Sequence, residues 1–350
     1  KMSKSLGNSP DPIDIIGRSG ADAFRFTLMM LSPPGQDIMF DESKVEVGKH
    51  FANKIWNAAR FVLGQEAPSE GEAVFGWEDR WIQSRLARRS AELEGCIDAY
   101  RFDEASRILY DFLWHEYCDW YLELSKAATR QGGARARGAR ATARGVLGAS
   151  MILLHPTMPF ITEEIWSMLA PEAPMLAAYR FPGVPADSLD AKLEADVAFF
   201  QEIVTAIRNL RQSFNISPGK PVNAVINCEA GRGLPARLEA FREQMRLLAK
   251  VEDLTIADGA AKPPGSAAAG LSLVEIYLPL KGVIDIESEK ARLGKELEKI
   301  SRECDKVSAR LEDVRFVEKA PPDVVEQERN RYNDMSDKKR RLARILEDLG

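Results

Sequence analysis

From Leu293 onward the sequence repeats apolar residues at alternating four- and three-residue intervals: Leu293, Leu297, Ile300, Cys304, Val307, Leu311 and Val314. That spacing lays one narrow apolar stripe along a helix and demands a second helix to cover it, which is the pattern of a coiled coil. A second stripe runs through Val325, Tyr332, Met335, Leu342, Leu346 and Leu349, with Glu328 and Lys339 as polar breaks. Between the two stands Ala320-Pro321-Pro322-Asp323, where the fixed φ and missing amide hydrogen of proline stop a helix. The expectation is an antiparallel coiled-coil hairpin over residues 284–350, each arm roughly 40 Å long at 1.5 Å per residue. The repeat alone leaves open whether the arms pair within one chain or between two, and the short link favours the former.

Upstream, the periods are mostly helical. Residues 1–40 read as a loop and connecting segment that breaks at Pro33-Pro34-Gly35. Residues 41–190 read as a helical bundle. Asp41 or Ser43 can cap a helix that carries Phe51, Ile55, Ala59 and Val62 on one face and stops at Gly64. Further apolar-periodic runs span about Trp77 to Cys96 and Phe102 to Ser125. The Gly-, Ala- and Arg-rich tract Gln131 to Arg144 reads as a loop whose arginines are solvated or near phosphates. A helix follows and ends near His155-Pro156, and Pro159 starts another through Trp166. Residues 191–283 read as a helix from about Glu194 to Gln212 and a small α+β subdomain. Its strands are predicted at Val222 to Cys228, Leu254 to Ala257 and Leu271 to Leu280, with a helix from Pro235 to Lys250. The fold class is therefore mainly α.

At 350 residues the chain can bury two or three cores. Its formal net charge of −5 leaves any nucleic-acid binding to local basic patches, not to a global field. Cys96, Cys118, Cys228 and Cys304 are widely spaced, without a Cys-x-x-Cys pair, so they read as reduced core or seam residues and point to neither zinc nor disulfides. His115-Glu116 lacks a second histidine where Asp119 stands, and His155 reads as a structural residue at a helix end. No run is long and apolar enough for a membrane span and no secretory leader is visible, which favours a cytoplasmic protein.

The first residues, Lys1-Met2-Ser3-Lys4-Ser5 with Leu6-Gly7-Asn8, place two ammonium groups among small hydroxyl residues and end on a glycine, a loop able to close over polyphosphate. They resemble the KMSKS signature of class I aminoacyl-tRNA synthetases. The resemblance continues through Gly20-Ala21-Asp22-Ala23-Phe24-Arg25-Phe26, Phe51-Ala52-Asn53-Lys54-Ile55-Trp56-Asn57-Ala58-Ala59-Arg60-Phe61 and Cys118-Asp119-Trp120-Tyr121-Leu122-Glu123. Together these stretches are similar to the valyl-tRNA synthetase family. The run His155-Pro156-Thr157-Met158-Pro159-Phe160-Ile161-Thr162-Glu163-Glu164-Ile165-Trp166 is shared with the isoleucine and leucine enzymes. A terminal helical hairpin favours the valine branch, because isoleucyl enzymes commonly end in a cysteine-bearing zinc module. With no initiator Met before the loop, the chain is expected to be the C-terminal part of a larger enzyme whose nucleotide-binding sheet and editing domain lie upstream.

The resemblance implies a parent enzyme that joins valine to tRNA(Val) using ATP, with Mg2+ expected. It also implies that Lys4, assisted by Lys1, stabilises charge on the pyrophosphate leaving group. The isolated chain is expected to be inactive, monomeric and tRNA-binding. Lys54, Asn57 and Phe61 lie at i, i+3 and i+7 with Arg60 at the border, so a cation, an amide and a ring share one helix side, which suits an unpaired anticodon loop. Phe61 as a core residue stays open. Lys338, Lys339, Arg340 and Arg341 form a second candidate phosphate patch. The alternatives are an isoleucyl- or leucyl-tRNA synthetase fragment and a non-catalytic coiled-coil scaffold.

Overall fold

The computed structural model describes residues 10–38, 40–66, 71–179, 183, 188–313, 316 and 320–349. The chain divides into two compact units, Lys1–Val197 and Ala198–Gly350.

The first unit is helical. Asp11 accepts a hydrogen bond from the Ile13 amide and caps α1 (Pro12–Ser19), and Gly20, at φ 89°, turns the chain into α2 (Ala21–Met30). Asp41 caps a single 3-10 turn through the Ser43 amide, and α3 (Val45–Leu63) follows and ends at Gly64. Its predicted inner face, Phe51, Ile55, Ala59 and Val62, is buried. At Gly48, α3 approaches α2 so closely that a Cβ would run into the Ala23 carbonyl and the Thr27 hydroxyl.

The next helices are α4 (Trp77–Asp98) and a long rod made of α5 (Phe102–Asp111), a π-helical stretch Phe112–Tyr121, and α6 (Leu122–Gln131). Within the π-helical stretch Tyr117 and Tyr121 both face inward and are fully buried. Their rings stack at 5.8 Å, and their hydroxyls donate to the Ala143 and Ala139 carbonyls at 2.8 and 3.0 Å. An aromatic run through Phe26, Phe51, Tyr110 and Trp114, with successive centroids 4.7, 5.0 and 5.3 Å apart, ties α2 and α3 to the rod.

The tract Gln131 to Arg144, expected as a loop, is instead mostly helix: α7 runs over Gly133–Leu154. Its small residues are what pack. Ala136, Gly138, Ala139, Thr142 and Ala143 are buried, and Gly138 lies against the Val74 carbonyl, where no Cβ would fit. Alanine and arginine are strong helix formers once such a face is covered. The arginines are not a free phosphate patch. Arg135 pairs with Glu78 and Asp79, Arg140 with Glu66, and Arg137 and Arg144 donate to the Glu72 and Leu169 carbonyls. α8 (Pro159–Leu169) completes the bundle, and Asp22 of α2 accepts its first free amides, from Phe160 and Ile161.

α9 (Ala191–Ser213) begins in the first unit, where Glu194 accepts from Ser84, Arg85 and Arg88 of α4 at 2.5, 2.8 and 2.7 Å. Its later turns belong to the second unit. There a four-stranded sheet has the order β2-β1-β4-β3, built from β1 (Val222–Cys228), β2 (Val251–Asp258), β3 (Ser266–Gly270) and β4 (Val274–Pro279). β1 pairs parallel with β2 and antiparallel with β4, and β3 pairs antiparallel with β4. The helix predicted over Pro235 to Lys250 is two, α10 (Leu234–Glu239) and α11 (Arg242–Ala249), broken at Ala240-Phe241. The predicted strand from Leu271 to Leu280 shortens to β4, and β3 went unread because Ala267, Ala268 and Ala269 have little strand preference of their own.

The hairpin forms within the chain. α12 (Ile286–Glu312) and α13 (Pro322–Leu349) bury Leu293, Ile300, Cys304, Val307, Val325 and Leu342 along their seam. Lys338 pairs with Glu296 at 3.0 Å and Arg310 with Glu328 at 3.0 Å, so residue numbers rise on one arm as they fall on the other. The polar break at Glu328 is thus an inter-arm ion pair.

Candidate nucleic-acid interface

The side of α3 facing away from the core carries the residues singled out for RNA. The Lys54 ammonium lies 2.6 Å from an Asp119 carboxylate oxygen and 5.2 Å above the Trp114 ring. Two opposite attractions hold its head in one place, ion pairing from one side and the face of the indole from below. Beneath it the Cys118 thiol is pushed up to about 12 by burial, so it stays protonated and unreactive. Burial likewise raises the Tyr110 hydroxyl above its ordinary value. Asn57 and Arg60 are exposed, one and two turns further along α3. Phe61 is half-buried, and the Lys126 ammonium of α6 stands 5.6 Å over its ring.

Lys54, Asn57 and Phe61 therefore share one strip, where α3 runs beside the π-helical stretch and α6, with Arg60 on its outer edge. Sequence spacing supplied the α3 half. It missed the other half, Trp114, Asp119 and Lys126, because those residues reach α3 only through the tertiary fold. The signal that could have found them is the i, i+5 progression Trp114-Asp119, which shares a face in a π-helix but not in an α-helix.

The tail cluster is arranged differently. Lys338 is committed to Glu296, Arg340 pairs with Asp337 one turn away, and Lys339 is half-buried at the seam. Arg341 lies in α13. Lys1 and Lys4 fall outside the described residues. Among the described residues no group of three His, Cys, Asp or Glu could hold a metal ion, and no helix is long and apolar enough to cross a membrane.

Comparison with known proteins matches three stretches of the chain to family models. Residues 1–41 match tRNA synthetases class I (I, L, M and V), and residues 79–226 match the anticodon-binding domain of tRNA ligase. Residues 285–350, the hairpin, match the valyl tRNA synthetase tRNA binding arm. The valine–tRNA ligase of Nitratidesulfovibrio vulgaris is 39% identical over 351 residues, 99% of this chain. The chain belongs to the valine–tRNA ligase family. The ligases of Geobacter sulfurreducens and Bacillus subtilis are 39% and 36% identical over the whole chain. The chain spans 40% of the length of each of these relatives. The isoleucyl, leucyl and scaffold alternatives are not favoured. Among solved structures, a Mycobacterium tuberculosis methionyl-tRNA synthetase is 25% identical with a TM-score of 0.44, covering 53% of this chain and 39% of that one. The Agrobacterium radiobacter K84 LeuRS is 21% identical with a TM-score of 0.42, covering 55% of this chain and 24% of that one.

Proposed function

We propose that this chain is the tRNA-binding portion of an enzyme that joins valine to tRNA(Val) at the expense of ATP. The observation that carries the proposal is a single one: the hairpin that the heptads build coincides with the stretch matching a tRNA binding arm, in a chain whose bundle matches an anticodon-binding domain. The α3 strip supports it. A fixed cation at Lys54, a donor–acceptor amide at Asn57, a guanidinium at Arg60 and a ring at Phe61 suit unstacked bases and their phosphates. Lys338, Lys339, Arg340 and Arg341 would add contacts on the arm.

In the whole enzyme, attack on the α-phosphorus of ATP moves negative charge onto departing pyrophosphate. An ammonium aimed there, Lys4 with Lys1 beside it, would lower that barrier. Mg2+ would enter with the nucleotide, held by its phosphates. The chain would act as a cytoplasmic monomer.

Binding of the purified chain to tRNA(Val) and to a non-cognate tRNA tests the proposal. Tighter binding of tRNA(Val) is expected, and equal or absent binding would reject it. Valine-dependent pyrophosphate exchange should be missing from the chain alone. In the full-length enzyme Lys4→Ala should slow exchange by roughly 10²-fold with tRNA affinity nearly unchanged.

A further inference from the structure

The outer face of α12 carries a row of charges of one sign, and the first half of the outer face of α13 carries the other. On α12, Lys295, Lys299, Arg302 and Lys306 follow one another at intervals of four, three and four residues, and all four are exposed. At 3.6 residues per turn they fall within a wedge of about 60°, nearly opposite the seam, and run along about 16 Å of helix. No acidic residue of α12 enters that wedge. Glu298 and Asp305 border it on one side, Glu296 and Glu303 on the other. Arg302 has an exposed partner in Glu298 at 3.2 Å, an ion pair that solvent weakens.

The equivalent outer face of α13 changes sign along its length: Glu326, Asn330, Asp334 and Asp337, all exposed, occupy its first half, and Arg341 and Arg344 follow at the same helical positions. Acids and bases are nearly balanced over residues 285–350 as a whole, so the separation is one of position and not of composition. Solubility alone needs only mixed charge, as on the ion-paired flanks where Arg292 meets Glu289 and Glu296. A one-signed row on α12, backed by acids along the first half of α13, orients the arm in the field of a polyanion.

We propose that the arm docks on tRNA through the α12 row Lys295, Lys299, Arg302 and Lys306, which neutralises successive backbone phosphates, while the acidic stretch of α13 at Glu326, Asp334 and Asp337 is turned away from the RNA. This rests on the tRNA-binding function proposed above and names the face that performs it. Contacts of this kind read charge and shape, not sequence, so the row would add affinity for any folded tRNA and leave discrimination to the bundle.

The test uses the full 350-residue chain and tRNA binding measured across a salt series. Lys295→Gln, Lys299→Gln, Arg302→Gln and Lys306→Gln together should weaken binding roughly tenfold or more and flatten the plot of log K against log salt by about three. Helical circular dichroism should be unchanged, because none of the four touches the seam. The companion variant, Glu326→Gln with Asp334→Asn and Asp337→Asn, should leave affinity and slope as they were. Unchanged binding by the lysine and arginine variant would overturn the proposal while leaving the tRNA-binding function standing. A gain in the companion as large as the loss in the first would overturn it too, because net charge rather than orientation would then govern. If the parent chain binds no tRNA at all, the function proposed above fails with it.

Discussion

Glu194 is held by three donors at the foot of α9, and the balance of its surroundings can be read from its pKa. Burial would raise it, but the hydrogen bonds from Ser84, Arg88 and Arg85 together outweigh burial and hold it below its ordinary value of 4.5. A carboxylate depressed by folding contributes stability that is complete above the unfolded pKa and is lost as pH falls through the folded one. Glu194→Gln leaves Arg85 and Arg88 short of a partner, although Arg85 keeps Glu116 at 2.7 Å. It should cost about 3 kcal/mol at pH 7 in urea unfolding, with the gap from the parent narrowing below about pH 4.5. Burial raises the Glu78 carboxyl instead, but that contribution is common to parent and variant and cancels in the difference. A gap that stayed constant with pH would show that the charge of Glu194 does not matter. At Phe61 the question is function. If a base stacks on the ring, Phe61→Ala should weaken tRNA(Val) binding by about 1–3 kcal/mol and leave the melting curve in place. A lowered melting temperature with unchanged affinity would make Phe61 a packing residue. The sequence placed Phe61 on the same side of α3 as Lys54 and Asn57 because helical spacing is local. It could not supply Lys126 or Trp114, whose contacts with α3 close over many residues of chain.

At the scale of elements, what was legible depended on whether a segment carries its own period. The heptads gave both arms and the break at Pro321-Pro322, because a narrow seam sustained over several heptads is a purely local signal. α7 was misread since its buried face is made of Ala and Gly, which show no apolar period and pack only where a neighbour such as the Val74 carbonyl comes close. The π winding over Phe112–Tyr121 was invisible because it leaves no period of its own in the sequence; the hydroxyls of Tyr117 and Tyr121 within it meet the carbonyls of α7 only in the folded chain. The register of the hairpin, by contrast, rests on inter-arm charge pairs that can be swapped. Arg310→Glu faces Glu328, which is only 14% exposed, and should lower the thermal stability of the hairpin by about 1 kcal/mol. The double exchange Arg310→Glu with Glu328→Arg should recover most of that loss in circular dichroism melts. An unrecovered loss would assign the effect to Arg310 stacking on Phe316, 4.4 Å away, instead of to register.

Over the whole molecule, each unit encloses a core of its own. Phe26, Phe51, Leu113, Leu147 and Met151 fill the first, and Ile226, Met245, Ile276 and Leu278 the second. Buried apolar contact is the largest favourable contribution to folding, so two cores supply two largely separate sources of cooperativity even though α9 is common to both units. The tryptophans offer a way to see this. All six, Trp56, Trp77, Trp81, Trp114, Trp120 and Trp166, lie in the first unit, so indole fluorescence reports that unit alone, whereas far-ultraviolet dichroism reports both. Ile276→Ala empties a fully buried site in β4 and should remove about 2–5 kcal/mol from the second unit. The dichroism curve should then split, with part of the signal lost at lower temperature, while the fluorescence midpoint stays where it is. If fluorescence moves in step with dichroism, the shared helix transmits the loss and the units unfold as one. In that case a single defect near the sheet would also cost the α3 strip its geometry, and binding measured on such variants would report stability as much as contact.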